Sequence, residues 1–200
     1  MKHLLVCHSR CGTTSIYKSL IKYSPKDIVW GVDKKGWDYD QFLSNNYYMA
    51  RCNTLDNSFE DLVKLTKESH CTYIYRENLF YFALSLCIGY YKPNQWQPET
   101  IKEDYSEKIT IDKEVFLKIL SEAREKRAAV LDLHKLDDAP IYSYESIYSG
   151  EVDILKVLND RHVLRLAVDE AKSDLNNTGK MNDYSNIENF EEVIGWHKDI

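Results

Sequence analysis

The chain has 200 residues, of which 44% are hydrophobic and 29% charged, and its formal net charge is −6. These values are typical of a globular protein with a buried core. The acidic balance argues against a general nucleic-acid binder, which usually carries a basic face. Because domains usually hold roughly 100–200 residues, we expect one domain over 1–200.

The cysteines and the apolar segments indicate the cellular location of the protein and the redox state of its thiols. Its five Cys residues form no C-x-x-C pair, which favours reduced thiols over a disulfide framework. The apolar run at 4–7 is too short for a signal peptide. No stretch approaches the roughly 20 apolar residues of a membrane helix. We therefore expect a cytoplasmic protein with neither a membrane nor a nucleic-acid partner.

Hydrophobic patterns predict strands that alternate with helices along the chain. Short apolar or β-branched runs predict strands at 4–7, 28–32, 72–75 and 141–144. Helical spacing predicts helices after residue 15, from 59 behind a capping box, over 79–88 and 112–131, around 152–158, and over 187–197. The remaining long segments, 33–55, 92–109 and 173–186, are predicted to be irregular. Alternation of this kind predicts a three-layer α/β domain, with helices on both faces of a mainly parallel central sheet.

Residues 8–15 (His-Ser-Arg-Cys-Gly-Thr-Thr-Ser) connect the first predicted strand to the first predicted helix. The first N–H groups of a helix lack partners and lie at the positive end of its dipole, so an anion fits there. Gly12 lets the backbone approach a phosphate closely. The further donors are the hydroxyls of Thr13, Thr14 and Ser15 and the planar charged group of Arg10. The alternative interpretation is an ordinary strand–helix turn capped by Ser and Thr.

Several sharper motifs are absent from this loop. No Gly-Lys-Ser/Thr occurs, which excludes a Walker A sequence, and the dinucleotide pattern G-x-G-x-x-G is also missing. A phosphatase-type loop starting at Cys7 would need an arginine where Thr13 stands. Cys7, His8 and Cys11 have no second pair of metal ligands nearby in sequence, so no metal site is predicted.

A second group of polar residues follows the strand predicted at 72–75. Arg76 stands at the carboxyl end of that strand, on the sheet edge where ligands bind in α/β folds. Ser85 lies on the next helix, and the two side chains together could hold a second phosphate. The alternative is an arginine that caps the sheet edge and a serine bonded to its own helix.

Taken together, these segments resemble the sulfotransferase family that uses 3′-phosphoadenosine-5′-phosphosulfate (PAPS). Residues 9–14 are similar to the family's 5′-phosphosulfate loop, S-x-R-S-G-T-T, with Cys11 where serine is usual. The pattern R-E-N-x-x-x-x-A-x-S over 76–85 resembles its 3′-phosphate motif and is closest to bacterial sulfotransferases acting on sugars. Two weaker matches follow. Residues 142–147 resemble the family's strand that ends in a Y-E-x-L element, and 178–180 with the segment 187–193 resembles its cofactor-covering loop and the helix after it.

The resemblance implies a P-loop-NTPase-like fold and an enzyme that moves a sulfuryl group from PAPS to a hydroxyl of a small acceptor, such as a sugar. Arg10 would also act in catalysis, by stabilising the leaving 5′-phosphate. A nucleotide-dependent phosphotransferase and a non-catalytic nucleotide-binding module of the same fold are the alternatives. The loop and the resemblance assign these residues to PAPS binding: Ser9, Arg10, Cys11, Gly12, Thr13, Thr14, Ser15, Arg76, Ser85 and Lys180.

No motif identifies the base that would accept the proton of the acceptor hydroxyl. Asp33 is the best candidate by position, because it follows the second predicted strand at the same sheet edge. Its rivals are Asp38, His8 and His70. An ordinary loop carboxylate or Asx turn is the alternative interpretation of Asp33.

Overall fold

The computed structural model describes residues 2–20 except 14, 17 and 18, and then 28–29, 49–53, 58–91, 108–160 and 184–198. The strands are β1 (Lys2–Cys7), β2 (Ile28–Val29), β3 (Met49–Asn53), β4 (Ser69–Tyr75) and β5 (Ile141–Ser143). The helices are α1 (Phe59–Lys67), α2 (Leu79–Tyr91), α3 (Lys113–Lys135), α4 (Tyr144–Tyr148), α5 (Ile154–Asp160) and α6 (Phe190–Lys198). Helical residues also follow β1, namely Thr13, Ser15, Ile16, Ser19 and Leu20.

The strands form one parallel sheet in the order β2-β3-β1-β4-β5. β1 lies at its centre, where Cys7 is in register with Asn53 of β3 and with Ile74 of β4. Parallel pairing brings the carboxyl ends of these strands to one edge of the sheet. Ligands bind at this edge in open α/β folds.

Successive side chains of β1 point to opposite faces of the sheet, as the period of a strand requires. Leu5 and Cys7 pack in a core with Ile16 and with residues of α4 and α5. Leu4 and Val6 pack in a second core with residues of α1 and α3. Helices therefore cover both faces, and the predicted α/β architecture is confirmed.

The chain divides into two compact units. The first, Met1–Glu77 with Lys126–Gly179, contains the sheet. The second, Asn78–Glu125 with Lys180–Ile200, has a core of its own formed by residues of α2, α3 and α6. The assignment of 1–200 to one domain stays a prediction.

Two elements differ from the sequence predictions. Residues 49–53, predicted to be irregular, form β3. This segment lacks β-branched residues, and its extended state depends on pairing with β1 and β2 on either side. Tyr144, predicted to end a strand, instead begins α4. The cause is Ser143, whose Oγ accepts the N–H of Ser146 at 3.0 Å as a helix N-cap.

Neither a membrane span nor a metal cluster occurs in the described part of the chain. No helix there has both the length and the apolar character needed to cross a bilayer. Within the same residues, no three His, Cys, Asp or Glu side chains are grouped so that they could hold a metal ion.

Candidate functional site

The loop after β1 has an unusual backbone. Arg10 and Gly12 both adopt left-handed conformations, with φ of 65° and 67°. Glycine reaches this region without strain, whereas an arginine there is uncommon, and such strain clusters at functional sites. Left-handed residues within a turn can direct neighbouring N–H groups into one concavity, which is how backbone nests bind anions.

Gly12 is held by its carbonyl group and is tightly enclosed. Its oxygen accepts the N–H of Ser15 at 3.0 Å and that of Ile16 at 3.3 Å, which starts the following helix. It also accepts the hydroxyl of Tyr148 at 2.7 Å. The ring of Tyr148 occupies the space that a Cβ atom on Gly12 would need.

His8 joins the loop to the end of β4. Its Nε2 accepts the backbone N–H of Arg76 at 3.0 Å, so the ring proton is on Nδ1, which donates to the carbonyl of Ser9 at 2.7 Å. The side chain is fully buried, and burial lowers its pKa from 6.5 to about 4. His8 is therefore neutral near pH 7, with both ring nitrogens engaged by the protein. It does not suit the role of catalytic base.

Cys11 is fully buried within the core of the first unit. Its Sγ lies 3.1 Å from Nδ1 of His8 and 3.7 Å from the carbonyl oxygen of Ile74. Burial raises the pKa of this thiol well above its ordinary value. The side chain thus packs inside the fold, and Cys11 can contribute to anion binding only through its backbone.

Arg76 is a buried cation beside an aromatic ring. Its side chain is 4% exposed, and its guanidinium lies 4.2 Å from the ring centroid of Tyr144. This ring in turn contacts that of Tyr148, at 4.4 Å between centroids. Contacts of this kind restrain the planar guanidinium, a group whose donors match phosphate oxygens.

The peptide that follows Arg76 is held by two side chains from distant parts of the sequence. The N–H of Glu77 donates to Oε2 of Glu145 at 3.0 Å, and Arg127 donates to the carbonyl of Glu77 at 2.7 Å. Glu145 is the glutamate of the Y-E-x-L match, but the sequence did not predict its contact with Glu77, and Arg127 was not singled out at all. They lie 68 and 50 residues away from Glu77 along the chain, on α4 and α3, and no local pattern indicates such contacts.

Comparisons with known proteins agree with this architecture. No protein-family model matches the sequence, and no curated protein matches it significantly. Among solved structures, the chain is similar to mouse sulfotransferase SULT7A1, crystallised in complex with PAP, with a TM-score of 0.57 and 15% identity. The chain has a sulfotransferase-like fold. The match covers 88% of this chain and 64% of the mouse chain, so the chain spans under two thirds of that relative's length.

In this sulfotransferase-like fold, the loop and Arg76 both belong to the first unit, and His8 connects them. Ser85 is half-buried on α2 in the second unit, where Asn78 caps the helix by accepting the N–H of Tyr81 at 3.1 Å. His70 lies at the amino end of β4, away from the loop edge, so it does not suit the role of base. Four predicted site residues, Thr14, Asp33, Asp38 and Lys180, lie outside the described residues.

Proposed function

We propose that the chain is a sulfotransferase that transfers a sulfuryl group from PAPS to a hydroxyl of a small acceptor. One observation carries the proposal: the loop that contains the left-handed residues Arg10 and Gly12 is joined by His8 to the buried cation of Arg76, at the carboxyl edge of the sheet. Two anion-binding elements at one edge suit a ligand with two separated phosphate groups. The fold likeness to a sulfotransferase crystallised with PAP supports this choice.

The described residues fit such a ligand. In the loop, the Oγ atom of Ser9 is buried and has no hydrogen-bond partner among the described residues. A buried hydroxyl without a partner costs about 1–3 kcal/mol, and a bound phosphate oxygen would accept its proton. Arg76 presents a permanent charge for the 3′-phosphate, and the sequence resemblance adds the hydroxyl of Ser85 as a further proposed donor. The sequence resemblance also proposes Lys180 as a nucleotide-binding residue.

PAPS, when bound, supplies an activated sulfuryl group. Arg10 and the loop N–H groups stabilise the 5′-phosphate oxygen, on which the electron pair of the breaking S–O bond remains. The acceptor oxygen forms the new S–O bond, and its proton passes to a base, for which we propose Asp33. The products are 3′-phosphoadenosine-5′-phosphate (PAP) and the sulfated acceptor.

The acceptor and the location belong to the same proposal. The sequence resemblance to bacterial enzymes favours a sugar hydroxyl as the acceptor. A cytoplasmic location agrees with Cys7, Cys11, Cys71 and Cys87, none of which forms a disulfide in the described part of the structure.

Thermal unfolding with added nucleotide tests the proposal. PAP at 100 times its Kd should stabilise the protein by roughly 2.7 kcal/mol. Arg76→Ala should weaken PAP binding about tenfold or more and leave adenosine 5′-phosphate binding almost unchanged. The control is Arg124→Ala, which removes an exposed cation from α3. Absence of a shift at millimolar PAP, or an equal loss of affinity for both nucleotides in Arg76→Ala, would contradict the proposal.

Turnover separates the enzyme from its alternatives. Sulfate transfer from PAPS to members of a panel of sugars and phenols is the expected result. PAP binding without transfer to any of them would favour a non-catalytic nucleotide-binding module. Magnesium-dependent ATP binding without PAP binding would favour a phosphotransferase.

A further inference from the structure

Helix α4 contacts both anion-binding elements of the first unit. Tyr148 donates a hydrogen bond to the loop at Gly12, while Tyr144 stacks on Arg76. Residues four apart lie on one side of a helix, and the two rings touch, with centroids 4.4 Å apart. A continuous set of contacts therefore runs from Gly12 through both tyrosines to Arg76.

The hydrogen bond from Tyr148 to Gly12 affects the conformation of the loop after β1. The carbonyl of Gly12 is the first acceptor of the following helix, so its orientation determines how the loop enters that helix. Burial raises the pKa of Tyr148, so its hydroxyl stays protonated and acts as a donor to this carbonyl. The Tyr148 ring fills the space beside Gly12.

We propose that Tyr148 is a positioning residue for the nucleotide site. Its hydroxyl fixes the loop for the 5′-phosphate, and its ring, through Tyr144, links the loop to Arg76. Preorganisation of this kind raises affinity because fewer groups must be ordered on binding. The identity of the ligand rests on the proposed function, whereas the contacts that define the role of Tyr148 do not.

Two variants separate the hydroxyl from the ring. Tyr148→Phe removes only the hydroxyl, which hydrogen-bonds to the carbonyl of Gly12 and to the side chain of Ser15. It should weaken binding of PAP and adenosine 5′-phosphate about 3- to 10-fold. Binding of adenosine 3′-phosphate should not change. Tyr148→Leu also removes the ring contact with Tyr144, so it should weaken binding of all three nucleotides.

Tyr142→Phe is the matched control, because Tyr142 is a half-buried tyrosine that packs against the same core cluster. It should bind all three nucleotides like the wild type. A merely structural role of Tyr148 would lower affinity for the three nucleotides equally in Tyr148→Phe, and that result would overturn the proposal. Unchanged binding in Tyr148→Phe, or the same losses in Tyr142→Phe, would overturn it as well.

Hydrogen exchange in the nucleotide-free protein gives a readout that does not depend on the ligand. Tyr148→Phe should speed exchange about 3- to 10-fold in a peptide over 8–16 and leave a peptide over 59–67 unchanged. If the wild type binds none of the three nucleotides, the proposed function fails and exchange alone decides the role of Tyr148. Faster exchange confined to 8–16 then supports that role, and unchanged exchange overturns it.

Discussion

Gly12 combines a backbone requirement with a packing requirement. Its φ of 67° strains any residue with a Cβ atom, and the ring of Tyr148 occupies the space for that atom. Gly12→Ala should therefore destabilise the fold by about 1–2 kcal/mol for the left-handed backbone. It should cost about 1–3 kcal/mol more for the displacement of Tyr148. Urea unfolding measures both effects together.

Gly150→Ala is the control for the backbone part of this effect. Gly150 also has a positive φ, of 82°, but it is exposed on the surface. The control should thus show only the cost of the left-handed conformation. Equal destabilisation by the two substitutions would contradict the packing argument for Gly12.

We expect the buried His8 to make the folded protein less stable at acidic pH. Its pKa of about 4 in the folded protein lies below the ordinary value of 6.5, because burial opposes the charged ring. Between these values the unfolded chain binds more protons than the folded one, so stability falls as the pH drops from 6.5 towards 4. The loss amounts to about 3 kcal/mol over this range.

His8→Gln tests this pH dependence, because the glutamine amide can accept the N–H of Arg76 without titrating. Urea unfolding at pH 7, 5.5 and 4.5 should show a clearly smaller loss of stability in the variant than in the wild type. A pH dependence identical in the two proteins would exclude His8 as the source of the acid sensitivity.

At the scale of elements, the sequence predicts those strands and helices whose conformation depends on their own residues. β1 and the loop after it can be read from a short apolar run and a cluster of hydroxyl residues. β3 cannot, because Met-Ala-Arg-Cys-Asn has little intrinsic strand preference and becomes extended through its neighbours in the sheet. The start of α4 was not predicted, because the aromatic residues there favour a strand, although Ser143 provides the N-cap of the helix.

The candidate site follows the same division. Arg10, Gly12 and Arg76 stand within short patterns, and their roles in the site are predictions from the sequence. The long-range contacts around them could not be predicted in this way: Tyr148 contacts Gly12 across 136 residues of chain, and His8, itself part of the loop motif, contacts Arg76 across 68. Such contacts arise only when the sheet brings distant segments together.

At the scale of the whole molecule, the net charge does not indicate whether the candidate site can bind an anion. The chain is acidic, with a formal charge of −6. Nevertheless, Arg76, Lys126 and Arg127 are close enough to His8 to lower its pKa further, and the charge of Arg10 acts on Tyr144. A local group of cations at one sheet edge can hold an anionic ligand on an acidic protein, because fields weaken over about 10 Å at 0.1 M salt.

The second unit depends on contacts between distant parts of the whole chain. Asn189 lies 78 residues after Ile111, and its amide forms two hydrogen bonds with the backbone of that residue. Oδ1 accepts the N–H of Ile111 at 2.9 Å, and Nδ2 donates to its carbonyl at 2.8 Å. The side chain thus satisfies both backbone groups of Ile111, beside the bridge between Ile109 and Ile187.

Asn189→Asp keeps the acceptor oxygen but replaces the donor with a charged oxygen that faces the carbonyl of Ile111. We expect it to destabilise the protein by about 1–3 kcal/mol in urea unfolding and to speed hydrogen exchange in a peptide over 108–112. Glu188→Gln is the control, because Glu188 is exposed and accepts from Thr110 at the surface; its effect should stay within about 0.5 kcal/mol. Equal effects of the two substitutions would mean that the amide of Asn189 does not hold these segments together.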